Sequence, residues 1–246
     1  MTSAEKQEIA GFLDLAHDFV SFGYRGEQKE YQFDEGTPST ETQIQGNSAG
    51  RSVKGGSIEE IAEEIRTCTS CGLSRMRKNA AAGEGVLQPL VMVIGEGPGA
   101  DEDEQGRPFV GRAGQLLDKM LSSIELSRNT NCFIANVVKC RPPGNRDPYP
   151  EETAACAHFL RRQILLLKPK FILVAGRVAA QTLLKTTEPI NRLHGKFREL
   201  TVETETFPLL VTYHPAALLR NEDLKRPSWE DLKLLRSKIE DSNGEN

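Results

Sequence analysis

The sequence predicts an α/β fold, a three-layer α/β/α sandwich around a central, mostly parallel four-stranded sheet. Four short apolar runs, bounded by glycine or polar residues, have the length of buried strands. Segments with helical spacing of apolar residues alternate with these runs, as is typical of a parallel sheet covered by helices on both faces. The 246 residues suffice for one such domain with an appendage. The four predicted strands are residues 90–94, 132–138, 171–175 and 208–213.

The N-terminal part is predicted to lie outside this domain. Apolar residues between Ile9 and Val20 recur at helical spacing, so we assign 1–33 to an amphipathic helix extension. Residues 34–57 are rich in Gly, Ser and Thr and read as a flexible linker. We expect the helix to pack on its own domain or to stay partly disordered, and docking to an unknown protein partner is the alternative.

The domain itself is assigned to residues 58–240, followed by an acidic tail at 241–246. Ser57 and Glu60 form a capping box that opens its first helix. The first strand leads into a polar loop dense in glycine and carboxylates, and helical spacing resumes at Ala113. Further helices are predicted at 113–126, 151–167, 177–184 and 228–239.

Charge neither demands nor excludes a nucleic-acid partner. The net charge is −4, and the first 56 residues supply it with nine acidic and five basic residues. Without the tail the domain is therefore mildly basic, which is compatible with a short DNA footprint. No apolar run approaches the length of a membrane helix, and the N-terminus does not resemble a secretory signal. We expect a cytoplasmic protein that does not contact membranes and acts as a monomer.

Five cysteines in a protein expected to be cytoplasmic indicate a metal site rather than disulfides. Cys68 and Cys71 form a CxxC pair, and Cys140 and Cys156 flank one loop, so folding could bring the four thiolates together. Cys132 opens an apolar strand and is predicted to be a core thiol. Four thiolates suit either Zn²⁺ or an iron–sulfur cluster, and the spacing does not choose between them.

Two loops at the ends of predicted strands carry the candidate chemistry. Phe109 is an aromatic residue in a loop that also holds clustered acids, an arrangement suited to stacking a flat ligand. His214 ends the last strand and is fixed by the following proline. Asn136 is a polar residue in an apolar strand, so its amide needs a backbone or ligand partner. GEGPG is neither a P-loop nor a GxGxxG motif, which disfavours a nucleotide-binding or redox protein.

Residues of about 58–239 resemble the iron–sulfur uracil-DNA glycosylases of family 4. Several spaced motifs carry this resemblance in the right order, and together they are more specific than any one alone. They are CTSCGLSRMRKNAAAGEG, GEGPGADEDEQGRPFVGRAGQLL, NVVKCRPPGNRDPYPEE and TYHPAALLRN. The resemblance implies the uracil-DNA glycosylase fold and an enzyme that releases uracil from DNA to begin base excision repair.

The resemblance also implies roles for individual residues. It implies a structural [4Fe–4S] cluster held by Cys68, Cys71, Cys140 and Cys156. The flipped uracil would stack on Phe109, be read by Asn136 and approach the backbone at Gly95 and Gly97. His214 would stabilise charge on uracil, while Glu96, together with Glu102 as a second acid, would position water or stabilise the sugar cation.

Contacts with DNA are implied less specifically. Leu218 would fill the space that the uracil vacates, with core packing as the alternative. Arg141, Arg146 and Arg220 are candidates for phosphate contacts, and Asp101, Asp103 and Glu104 are expected to form a solvated loop face. A rival function is a covalent uracil-DNA trap, which a related branch achieves with a reactive histidine in the middle block. No histidine lies between Cys140 and Cys156 here.

Overall fold

The computed structural model describes residues 56–244. The predicted helix extension and all but the end of the linker therefore lie outside the described residues. Within them the chain forms a mixed sheet with helices on both faces, in agreement with the predicted α/β/α sandwich. The strands are β1 (Glu84–Gly85), β2 (Val91–Gly95), β3 (Cys132–Asn136), β4 (Phe171–Ala175), β5 (Phe197–Val202) and β6 (Glu205–Thr212). The helices are α1 (Ile58–Thr67), α2 (Ala100–Gln105), α3 (Arg112–Ser122), α4 (Pro150–Leu167), α5 (Arg177–Leu184), α6 (Ile190–Leu193), α7 (Pro215–Arg220) and α8 (Lys225–Gly244).

The four predicted strands form the parallel centre of the sheet. The strand order is β1-β3-β2-β4-β6-β5, and the inner pairs β3-β2, β2-β4 and β4-β6 are parallel. The edge strands β1 and β5 pair antiparallel and were not predicted. β1 has only two residues. In β5 the charged Arg198 and Glu199 separate Phe197 from Leu200, so neither strand shows an apolar run.

Two apolar cores lie on opposite faces of the sheet because successive strand residues point to opposite sides. Met92 and Ile94 face one core, which packs against α1, α4 and α5. Val91 and Val93 face the other, which packs against α3 and α8. The four central strands are almost completely buried, as is expected of a parallel sheet covered on both faces.

The capping signal predicted the start of the first helix correctly, whereas both bounds of the last helix differ from the prediction. The capping box before α1 is formed, since Glu60 N donates to Ser57 Oγ at 3.2 Å and Ser57 N donates to Glu60 Oε2 at 3.0 Å. The last helix, predicted at 228–239, begins three residues earlier and runs to Gly244, into the predicted tail. Pro227 is tolerated there because the first helical turn does not use its missing N–H.

The polar loop after β2 differs from the prediction because it contains α2. Asp101 and Glu104 are exposed as expected, but Asp103 is only 4% exposed and accepts the Lys78 N–H at 2.9 Å. The prediction of a solvated face was therefore wrong for Asp103, since a short helix turns this side chain inward.

The topology opens a crevice at the carboxyl edge of the sheet. β2 lies between β3 and β4 in the sheet. After β3 on one side of β2 the chain crosses to β4 on the other side, so the strand order reverses at β2. Such a reversal in strand order is where α/β sheets bind ligands. Separately, none of the helices in 56–244 has the length and apolar content required to cross a lipid bilayer.

Candidate active site

A cavity of about 440 Å³ lies at the carboxyl edge of the sheet. It is formed by the loops after β2 and β4, the start of α7 and the proline-rich loop before α4. Five of the predicted site residues line it, namely Glu96, Gly97, Glu102, Phe109 and His214. Its size falls in the ordinary range for small-molecule sites.

Phe109 is held in a backbone conformation that residues with side chains rarely adopt. Its φ is 53°, in the left-handed region, and its side chain is 5% exposed. The guanidinium of the buried Arg128 donates to the carbonyls of Pro108 and Phe109 at 3.0 and 2.8 Å. Arg128 is itself fixed by Asp118, at 2.9 Å. An unfavourable backbone conformation persists only where its surroundings impose it, and such residues cluster at functional sites.

The carboxylate of Glu102 secures the other side of the same loop. Its Oε1 accepts the N–H groups of Val110 and Gly111 at 2.8 and 2.9 Å, and its Oε2 accepts the N–H of Gly99 at 3.0 Å. Both oxygens are therefore used in organising the loop around Phe109. This geometry favours a positioning role over direct chemistry for Glu102.

The amide of Asn136 lies beside the ring of Phe109. A Cβ placed on Gly95 would lie 2.5 Å from Phe109 Cζ and 2.6 Å from Asn136 Oδ1, so both groups meet at this glycine. Asn136 is 1% exposed, and its Oδ1 is buried without a hydrogen-bond partner. A buried amide oxygen without a partner is costly, and a ligand N–H would satisfy it. Gly95 and Asn136 thus lie immediately behind the cavity wall.

The imidazole of His214 also lies beside the ring of Phe109. The two ring centroids lie 5.5 Å apart with an interplanar angle of 30°. Its Nδ1 accepts the Ala216 N–H at 3.1 Å, so the neutral ring carries its proton on Nε2. Burial, with a smaller effect of the nearby Arg220 charge, lowers the pKa of His214 to about 4. The imidazole is therefore neutral and can donate a hydrogen bond at neutral pH.

Glu96 follows β2 directly and lines the cavity. Burial, with a smaller contribution from Asp147, raises its pKa from 4.5 to about 7, and Arg177 opposes the shift. A carboxyl group with a pKa near the working pH can both hold and release a proton there.

The family model of the uracil DNA glycosylase superfamily matches residues 82–233, more than half of the chain. The chain belongs to this superfamily. A type-4 uracil-DNA glycosylase of Pyrobaculum aerophilum is 43% identical over 72% of this chain and 92% of that protein. The type-4 enzymes of Sulfurisphaera tokodaii and Thermotoga maritima are 41% and 40% identical over 73% and 74% of this chain, and 84% and 94% of their own lengths. Similarity at this level over most of each relative places the chain in the type-4 group.

Leu218 was predicted to fill the space that the flipped uracil vacates, and the structure does not favour this role. Leu218 is 3% exposed and packs in the core with Leu232. The neighbouring Leu219 is 43% exposed, and Arg220 beside it lines the cavity. The alternative of core packing for Leu218 is therefore favoured.

Two of the three arginines predicted to contact phosphates lie at the cavity, and the third does not. Arg146 and Arg220 line the cavity mouth, whereas Arg141 does not and donates to Asn145 Oδ1 at 2.8 Å.

The four cysteines of the predicted metal site line one small cavity, together with side chains of α1 and α4. Cys68 and Cys71 come from the end of α1, Cys140 from the loop after β3, and Cys156 from α4. Arg77 Nη1 lies 3.0 Å from Cys140 Sγ. Within 56–244 no group of three or more ligating side chains is arranged as a preformed ion site. Cys132 is fully buried in the core at the start of β3, as predicted.

Sequence reasoning missed several residues that build the site. Asp147 and Arg177 form an ion pair and line the cavity near Glu96. Gly176, with φ 98°, allows close approach of His214, since a Cβ there would lie 2.9 Å from His214 Cβ. Of these residues only Gly176 could be recognised from the sequence, as the turn after an apolar strand. Nothing in the local sequence marks Arg128 as a support for a loop 19 residues away.

Proposed function

We propose that this protein is a uracil-DNA glycosylase, which flips uracil out of DNA and hydrolyses its N-glycosidic bond to begin base excision repair. The observation that carries this proposal is the unpartnered Oδ1 of Asn136 beside the ring of Phe109. Membership of the type-4 group and the names of the relatives support it. All residues of the proposed site come from one chain, so the reaction needs no second copy.

Asn136 and Phe109 recognise the base in this proposal. The Asn136 amide accepts uracil N3–H at Oδ1 and donates to O4 from Nδ2, while the base stacks on Phe109. Cytosine presents an amino group and an unprotonated N3 at these positions, so both hydrogen bonds would be lost. Because the site is buried, such a mismatch leaves polar groups unpaired and discriminates strongly.

His214 stabilises the leaving group. Bond cleavage places negative charge on uracil and positive charge on the sugar. The Nε2–H of neutral His214 donates to uracil O2, where negative charge develops, and a preorganised donor of this kind is worth about 10²–10³ in rate. The low pKa of His214 keeps the proton arrangement constant at neutral pH.

Glu96 acts on the attacking water and on the sugar. When ionised it accepts a proton from water and stabilises the positive charge at C1′, a use that its raised pKa makes sensitive to pH near 7. Glu102 fixes the Phe109 loop through its three backbone hydrogen bonds and takes no part in proton transfer.

The DNA contacts lie around the cavity mouth. We assign the wedge to Leu219, because it is the exposed leucine of α7, and not to Leu218. Arg220 contacts a phosphate, whereas the guanidinium of Arg146 is already held by Glu152 at 2.8 and 2.7 Å. Gly97 lets the loop after β2 pack closely against Val138 at the cavity, since a Cβ there would lie 2.8 Å from Val138 Cγ2.

The four cysteines fit an iron–sulfur cluster. They form an all-sulfur donor set around one cavity, and the Arg77 guanidinium donates to Cys140 Sγ at 3.0 Å. Cys68, Cys71, Cys140 and Cys156 would hold a [4Fe–4S] cluster, whose contribution is structural, joining α1 to the loop before α4. Cysteines that must stay reduced to bind a cluster require a reducing compartment, which favours the cytoplasm.

The proposal is tested by measuring uracil release from a uracil-containing oligonucleotide. We expect wild type to release free uracil, and His214→Ala to be slower by about a hundredfold or more, since it removes the donor to O2. Asn136→Asp should lose at least as much, because a buried carboxylate has no donor for O4. Asn129→Asp makes the same chemical change at an exposed position and should match wild type.

A wild-type chain that releases no uracil would contradict the proposal. A protein band that stays attached to the DNA on a denaturing gel would favour the covalent trap instead.

A further inference from the structure

An exposed aromatic side chain lies beside the cavity mouth and has no part in the site described above. Tyr149 is 52% exposed, more than Trp229, which is 41% exposed at the groove between α3 and α8. Arg146 and Asp147, which precede Tyr149 closely in sequence, line the cavity. Large aromatic residues exposed near a binding site are candidates for ligand contact.

The ring of Tyr149 is held in place from one side. The guanidinium of Arg146 lies 3.7 Å from the ring centroid. Arg146 is fixed in turn by a two-pronged ion pair with Glu152, at 2.8 and 2.7 Å. The Glu152 side chain is only 8% exposed, so this anchor is rigid. Since Arg146 covers one face and half of the residue is exposed, the opposite face of the ring is open to solvent.

The backbone of Tyr149 is fixed as well. Its N–H donates to Glu152 Oε2 at 2.8 Å, and its carbonyl accepts the Thr153 hydroxyl at 2.7 Å at the start of α4. A ring that is ordered before binding loses little conformational entropy when a ligand stacks on it. The arrangement is therefore a preordered flat surface with a cation behind it.

We propose that Tyr149 stacks a DNA base adjacent to the uracil in the damaged strand, an inference that rests on the proposed function. Flipping the uracil deprives its neighbours of a stacking partner. An aromatic ring at the cavity mouth replaces that partner, and any base can stack on it because every base has a π face. Arg146 holds the other face of the ring, so the stacking surface is in place before the base arrives.

The test combines changes in the protein with changes in the DNA. Tyr149→Ala and Tyr149→Trp are compared with wild type on single-stranded uracil oligonucleotides. In two further oligonucleotides the nucleotide on one side of the uracil, or on the other, is replaced by an abasic tetrahydrofuran spacer. Binding is measured by fluorescence anisotropy, and uracil release is measured by steady-state kinetics. Binding is therefore measured independently of turnover.

We expect Tyr149→Ala to bind the intact oligonucleotide about tenfold more weakly, with a raised KM and an unchanged kcat. Tyr149→Trp should restore the affinity. One of the two spacers should weaken binding by wild type by the same factor and should not weaken binding by Tyr149→Ala further. Trp229→Ala, a matched loss of an exposed aromatic, should behave as wild type.

Equal binding by Tyr149→Ala and wild type would overturn the inference, as would additive effects of Tyr149→Ala and both spacers. The failure of the proposed function is a different result, namely a wild-type chain that releases no uracil from any of the oligonucleotides.

Discussion

The side chains around the cavity owe their chemistry to burial more than to charge partners. Burial raises the pKa of Glu96 to about 7 and lowers that of His214 to about 4. Loss of solvation disfavours the charged form of each group, which is the negative form of Glu96 and the positive form of His214. One site therefore holds a carboxyl group that titrates near neutrality beside an imidazole that stays neutral.

These pKa values predict the pH dependence of uracil release. If ionised Glu96 acts on water, kcat should rise about tenfold per pH unit below pH 7 and level off above it, because the group is protonated below its pKa. His214 adds no limb between pH 5 and 9, since its pKa lies below that range. The measurement is kcat across this range for wild type and Glu96→Gln.

Glu96→Gln should lower kcat by about a hundredfold or more at pH 8 and remove the dependence near pH 7. A wild-type profile that falls as pH rises from 6 to 8 would assign Glu96 a protonated, donating role, and a flat profile would show that its titration does not control the rate.

At the scale of the elements, the loop between β2 and α3 is shaped by supports distant in sequence. Arg128 holds two carbonyls on one side of Phe109, and Glu102 holds two N–H groups on the other. α3 also packs closely on this loop, since a Cβ on Gly114 would lie 1.9 Å from Phe109 O. The position of the stacking ring is therefore imposed by three parts of the chain.

A double-mutant cycle tests whether Arg128 acts through Phe109. Arg128→Met should lower kcat/KM about tenfold or more, because Phe109 would relax from its positive φ. The same substitution in a Phe109→Ala background should have little further effect on kcat/KM. Thermal unfolding of each variant separates this effect from loss of stability.

Arg162→Met is the matched control, since Arg162 pairs with Glu64 between α4 and α1, on the face of the sheet opposite α3. Independent, additive effects of Arg128→Met and Phe109→Ala on kcat/KM would show that Arg128 does not act by positioning the ring.

At the scale of the whole molecule, the four cysteines that line one cavity come from segments far apart in sequence. We expect purified protein to contain about four iron atoms per chain and to absorb near 400 nm, as iron–sulfur clusters do. Cys140→Ala should lose iron and absorbance and unfold at a lower temperature, because binding of a metal group stabilises the folded state.

Cys132→Ala should keep its iron, since Cys132 is buried in the opposite core and lines no part of the cysteine cavity. Bound zinc without iron would contradict the cluster. It would identify the site as a zinc site, which is the alternative that the cysteine spacing left open.

The central sheet, the main helices that cover it and the residues that end its strands could be predicted from sequence patterns. Apolar runs and capping signals are local properties, and β2, β3, β4 and β6 followed from them. The motifs likewise named Phe109, Asn136 and His214. These features could be predicted because hydrophobic periodicity and strand ends depend on neighbours in sequence.

Which groups are buried, paired or exposed became visible only in the folded chain. It turned Asp103 inward, directed Leu218 into the core and Leu219 to solvent, and tied Glu102 to the loop backbone. It also recruited Arg128 to hold Phe109 and left the Asn136 oxygen without a partner. The physical reason is that burial and hydrogen bonding depend on what folding brings together, and the partners of these groups come from distant segments that no local pattern records.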